Sequence, residues 1–158
     1  MDKLSDILWR ERELLDSLLF KLEVEQMVLA TGRTHWLGRA AREVELVLTV
    51  LRETEILRSV AADEAAETVG LSPNPSLRAL AEAAPEPWRG ILLDHRQGFE
   101  EVSRQITALA ENNRELLTVG LRSAREALLD LEQSAEGYRP DGGAVLTELT
   151  PRLVDRSL

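Results

Sequence analysis

The residues of this chain that can do chemistry are few, and their spacing argues against a reaction centre. There are two histidines, no cysteine, 28 acidic and 19 basic residues. Without thiols there is no disulfide, no thiolate nucleophile and no cysteine-built zinc site. A di-iron carboxylate centre in a helical bundle needs inward acids and Glu-x-x-His pairs. The residues three before His35 and His95 are Gly32 and Leu92, so neither histidine fits. His95 follows Asp94 on an apolar seam, where the expectation is a partly buried ring hydrogen-bonded to a neighbour. The acid pairs Glu11/Glu13, Glu23/Glu25 and Glu43/Glu45 stand two apart, which turns their members to different sides of a helix. They read as solvated faces, except that Glu11 and Glu25 themselves fall on the seam. Gly32, Gly38 and Gly70 form no phosphate-binding loop, and no Gly-x-Ser-x-Gly elbow is present. No catalytic, cofactor or metal residue is expected. The class is a binding protein, not an enzyme.

The elements that would position a binding face are helices. At 158 residues the chain has the length of one domain. It is 44% hydrophobic but only 4% aromatic, with Leu, Ala, Glu and Arg dominant, which is the composition of long helices. A formal net charge of -9 repels phosphate backbones, so nucleic acid is not an expected partner. Met1 to Asp6 lacks the basic and apolar regions of a signal peptide, and no apolar run approaches the ~20 residues that span a bilayer. The expected location is cytoplasmic, without membrane insertion.

Stepping alternately by four and three from Leu4 gives Leu8, Glu11, Leu15, Leu18, Leu22, Glu25 and Leu29, a coiled-coil-like seam on a helix over 2–30. Phe20, Val24 and Met27 form a second line, so the apolar arc calls for two neighbours, or a neighbour and a ligand. Thr31-Gly32 stops this helix, and Thr34 is the expected N-cap of the next, over 34–68. That helix carries Leu37, Ala41, Val44, Leu48 and Leu51 at the same steps, then the small residues Ala61, Ala62, Ala65 and Ala66, an end that either packs closely against a neighbour or frays. The short connection favours an antiparallel hairpin. Gly70 to Pro75 breaks the chain. Asn74-Pro75 then has the form of an N-cap with Pro in the first turn, opening a short helix over 75–84.

The last helix is expected over 87–136. Its seam runs Trp88, Leu92, His95, Phe99, Val102, Ile106, Leu109 and Asn113, then by repeated steps of four to Leu117 and Leu121, and on through Ala124, Leu128 and Leu131. Successive fours make a stutter, which relaxes a left-handed supercoil. Unbroken, this helix is ~75 Å long at ~1.5 Å per residue. The predicted fold is therefore all-α: an elongated antiparallel bundle of three long helices and one short helix, with a mostly irregular, flexible tail over 137–158. Asn113, set into an apolar seam, either calls for a polar partner and fixes register or occupies a wet seam position near the stutter.

With these residues in order, the chain resembles the FlgN family. A Leu-rich first helix ends in a Gly turn, as Leu14 to Gly32 does. A Glu- and Leu-rich second helix is matched by Arg42-Glu43-Val44 through Leu51-Arg52-Glu53. A short Leu-x-x-Leu-Ala helix before a proline is matched by Leu77 to Ala81 and Pro85. An Asn-Arg-Glu-Leu-Leu segment followed by a Leu is matched by Asn113 to Leu117 and Leu121, and a Tyr with a Gly turn by Tyr138 and Gly142. The resemblance implies a flagellar type III export chaperone. Such a protein binds the C-terminal segments of hook-associated, or hook–filament junction, proteins and delivers them to the export gate. It places the client face at Asn113, Leu117, Leu121, Ala124, Leu128 and Leu131, with Tyr138 as the candidate contact for the export-gate component. Weak homodimerisation is the remaining expected partnership. In the tail, Leu146, Leu149 and Leu153 stand at helical spacing, although Pro151 prevents one continuous helix; the tail either covers the client face when it is empty or is an idle linker.

Two other readings compete. A generic self-associating coiled-coil scaffold would use the same seams. A secreted helical hairpin of the WXG type is suggested by Trp36-Leu37-Gly38 at the hairpin turn. Against it, Tyr138 is followed by an acid three residues on rather than four, and a further long helix is present.

Overall fold

A computed structural model of the chain describes residues 1–136. Among them are four α-helices and no strand: α1 (Asp2–Ala30), α2 (Leu37–Thr68), α3 (Leu77–Ala83) and α4 (Trp88–Glu136). The fold is all-α, as the periodicity predicts. The chain divides into two compact units, Met1–Leu117 and Thr118–Leu158, with the boundary inside α4.

In the first unit both hairpin helices stop for the same local reason. Gly32 and Gly70 take the left-handed conformation, at φ 66° and 73°. Each lets the chain fold back on the last turn: Arg33 N–H donates to the Val28 carbonyl and Gly32 N–H to Leu29, while Leu71 donates to Ala66 and Gly70 to Glu67. This pair of reversed bonds satisfies the orphan carbonyls of a helix end, and a glycine adopts the required φ without penalty. Leu71 then packs onto the core beside Ala66.

Two helix starts differ from expectation. Thr34 does not cap α2; it opens a 3-10 turn, Thr34–Trp36, and α2 begins at Leu37 with no side-chain cap. Tight bonds from Trp36 to Arg33 and from Leu37 to Thr34 already engage the amides that a hydroxyl would have served. Asn74 likewise does not cap α3. It sits at φ 57°, a conformation asparagine tolerates, and its N–H donates to the Asp63 carboxylate on α2. Ser76 is the cap, accepting from Ala79 N–H at 3.1 Å.

Polar contacts fix the directions of the helices. Along α1 the sequence separation to α2 falls from 61 at Lys3–Glu64 to 22 at Lys21–Glu43, so these helices are antiparallel. From α1 to α4 it changes little, 82 at Arg12–Asp94 and 91 at Leu22–Asn113, so these run parallel. Two apolar clusters lie along this frame. One joins Leu4 and Leu8 to Ala61, Ala65, Ala66 and Leu92, with Leu80, Ala81 and Ala84 from the α3 region. The other joins Leu18 and Leu22 to Val44 and Leu51, backed by Ile106, Leu109 and Ala110. The alanine end of α2 is thus no frayed terminus. Its small side chains make the room into which α3 packs.

One seam position is charged. Glu11 is buried beside Arg58 of α2, their nearest atoms 3.0 Å apart but without hydrogen-bond alignment. Burial pushes its carboxyl above the ordinary 4.5; Arg58 opposes the rise and Glu55 adds to it.

Two outcomes test this packing. Ala66→Leu should overfill the α2–α3 contact and cost about 1–3 kcal/mol, read as a lower denaturant midpoint. Glu11 favours its protonated form in the fold, so its contribution is full below pH 4.5 and is lost as pH rises through the elevated pKa. Glu11→Gln should therefore be more stable than the parent at pH 7, with the gap closing as pH falls below 4.5. A destabilised variant at pH 7 would mean that the Arg58 pairing outweighs the burial cost.

Candidate functional site

In the first unit the polar seam residues of α4 are turned inward. Asn113 is 2% exposed, and its amide donates to the Leu22 carbonyl of α1 at 2.9 Å and reaches Glu25 Oε1 at 3.5 Å. This is the polar partnership that an asparagine in an apolar seam calls for. The pairing also explains Glu25: burial raises its carboxyl pKa while the bond from Asn113 lowers it, and the rise prevails. Leu117, the last residue of this unit, is half-buried.

His95 departs from expectation. Rather than partly buried and hydrogen-bonded, it is 0% exposed, and neither ring nitrogen has a hydrogen-bond partner among the described residues. Trp9 meets it edge-on at 4.9 Å and Phe99 stacks at 6.4 Å. Burial, with Arg12 adding to it and Asp94 opposing, holds the ring below its ordinary pKa and favours neutral imidazole. A buried ring walled by aromatics has no access to substrate, so the geometry is that of a core residue.

The second line of α1 is covered only in part, at the half-buried Val24. Phe20 and Met27 are exposed, and so are Leu46, Ile56, Leu57 and Val60 on α2. The two neighbours of α1, α2 and α4, both pack on its leucine seam instead.

The second unit begins with a helix of different character. Every residue from Thr118 to Gln133 is exposed, yet the four-three spacing of the seam continues. Leu121 is 71% exposed, and Leu128 and Leu131 are each 61% exposed. Ala124 lies between them on the same side. The periodicity brings these four together as one apolar stripe on a single helical face. Two cations were not singled out by the sequence pattern: Arg122 and Arg125 line one shallow depression with Leu121 and Thr118. Their signal was available in their spacing of one and four residues from Leu121. Tyr138, and the tail leucines proposed to cover this face, lie outside the described residues.

No group of three or more metal-ligating side chains occurs among the described residues, and none of their helices is long and apolar enough to cross a membrane. The family model described as FlgN protein matches residues 1–145. No curated protein and no solved structure matches the chain.

Gly120 stands in the interior of α4, where glycine costs ~0.5–1 kcal/mol relative to alanine. A Cβ at this position meets nothing within 4 Å. Gly120→Ala should therefore firm the exposed helix. Amide hydrogen exchange over 118–133 is expected to slow about two- to fivefold; faster exchange would show that the glycine is needed within the chain itself.

Proposed function

The chain belongs to the FlgN family, and from that premise we propose that it is a cytoplasmic flagellar type III export chaperone for hook–filament junction proteins. It holds their C-terminal segments soluble and passes them to the export gate. The family is one of flagellar export chaperones, and that role requires binding without turnover.

The observation that carries this reading is the apolar stripe of Leu121, Ala124, Leu128 and Leu131, exposed on a helix that is exposed on every side. An amphipathic segment recognises such a face through apolar residues at its own i, i+3, i+4 and i+7 positions. Covering three leucines yields ~1.5–3 kcal/mol each. From this the costs of immobilising the client must be subtracted, leaving an affinity compatible with later release. Asn113 and Leu117 belong to the preceding unit, where Asn113 has its amide committed to α1. Its part in this reading is to hold the register of α4, and the client contact falls to the four residues beyond. The same stripe is where a weak homodimer would form.

Leu121→Asp with Leu128→Asp tests the assignment. Both side chains are exposed, so helicity and the unfolding transition of the bundle should be retained. Capture of a hook–filament junction protein should fall at least about a hundredfold, because two charges would be buried against apolar client residues. Undiminished capture would move the site elsewhere, for instance to the exposed α2 residues. Concentration-dependent dimerisation of the parent, abolished by the same pair of substitutions and without client capture, would favour the scaffold reading.

A further inference from the structure

Charge along the stripe is ordered, and the order gives the docked segment a direction. In residues 118–133 the cations are Arg122 and Arg125, both near Leu121, while Glu126, Asp130 and Glu132 follow towards Leu131. Arg125 and Glu132 stand two helical turns apart and therefore flank the same side of the stripe, one at each end. Arg122 and Arg125 share their depression with Leu121. Glu126 follows Arg125 and stands one turn beyond Arg122, so in a chain of net charge -9 this end keeps a net single positive charge beside its apolar anchor.

An apolar stripe alone accepts a helix in either direction. Ordered charge does not. A helix carries partial positive charge at its N-terminus and partial negative charge at its C-terminus, and a chain-terminal carboxylate adds a full negative charge. Resting on the client reading above, we infer that the docked segment is a helix lying antiparallel to α4. Its terminal carboxylate sits at Arg122 and Arg125, and its amino end lies towards Glu132. Arginine suits this contact, because its planar fork of donors matches a carboxylate in two-point geometry. Recognition of a chain end also needs no particular client side chain. One surface can then serve several junction proteins whose common features are an apolar helical face and a free C-terminus.

The test uses the full chain and a synthetic peptide covering the C-terminal helical segment of a hook–filament junction protein, made as free acid and as C-terminal amide. The free acid should bind the parent about fivefold more tightly than the amide, the upper range for an exposed ion pair. On Arg122→Gln with Arg125→Gln, both peptides should bind with the weaker affinity. Direction is read separately. Because the chain has no cysteine, Ser123→Cys and Gln133→Cys each accept a single spin label. A label at 123 should broaden the NMR signals of the peptide's carboxyl end, and a label at 133 those of its amino end.

Equal affinity of acid and amide, or broadening in the reverse order, overturns the inference. If Leu121→Asp with Leu128→Asp still abolishes binding in that case, the client reading stands and only the direction is wrong. If neither peptide binds the parent, both fail together.

Discussion

The leucine side of α1 is the surface on which the first unit is assembled, because α2 and α4 both bury their own seams against it. Leu4 and Leu8 meet the alanine end of α2, α3 and Leu92 of α4; Leu18 and Leu22 meet Val44, Leu51 and the half-buried Ile106 and Leu109. Each buried leucine contributes ~1.5–3 kcal/mol, while ion pairs at the rim such as Lys3–Glu64 contribute ~1 kcal/mol or less. The apolar seam therefore decides that the helices associate. The graded size of its partners decides where: large side chains face it at one end, and alanines at the other admit a fourth element, α3.

What the seam does not decide is register, and here its polar interruptions act. A run of leucines at heptad spacing packs almost as well when slid by one repeat. Asn113 opposes that slip through its side-chain partner: moving it by seven residues would replace Glu25 with Leu18 or Gly32, whereas a backbone carbonyl such as that of Leu22 recurs at every turn. Glu11 against Arg58 performs the same service between α1 and α2. Both are costly placements. Asn113 Oδ1 and Glu11 Oε2 lack hydrogen-bond partners among the described residues, and burial raises the carboxyl pKa of Glu11 and Glu25. Stability is given up for a unique alignment of α2 and α4 on α1.

These features differ in how far the sequence exposes them. Period and partner chemistry were legible: the all-α class, the apolar positions of α1 and α4, and the need of Asn113 for a polar contact all follow from spacing. Caps were less so, because Thr34 and Asn74 have the right chemistry and lose to backbone geometry set by Gly32 and by Asp63 across the bundle. His95 shows the deeper limit. A histidine beside an aspartate reads as locally bonded, yet the ring is directed into Trp9 and Phe99, a choice made by packing between helices that are distant in sequence. Above all, periodicity identifies an apolar face without telling what covers it. Leu92 and Leu128 occupy equivalent seam positions; one is fully buried and the other is 61% exposed.

If that face receives a client, as proposed, it must remain available without sticking to its own copies. Part of the answer is size, since three leucines spaced by Ala124 make a narrow patch, and the exposed Val119 and Leu129 lie on other sides of the helix. Net charge adds a long-range repulsion, at -9 per chain. The placement of Arg125 adds a local one. In a parallel self-pair along the stripe, Arg125 and Glu132 lie on the opposite flank from their copies, across from Gly120 and Ala127, so neither meets an opposite charge. In an antiparallel self-pair that sets Leu121 over Leu131 and Ala124 over Leu128, Arg125 falls next to the two-fold axis and faces its copy. Like charges directly opposed across a helix pair are destabilising, by a few tenths of a kcal/mol when exposed and by more as water is excluded. A segment offering a carboxylate at that point converts the same arginine from a repulsive to an attractive neighbour. On the proposed client reading, the stripe supplies affinity to any apolar helix, and its charges discriminate between a client and a second copy of the chain.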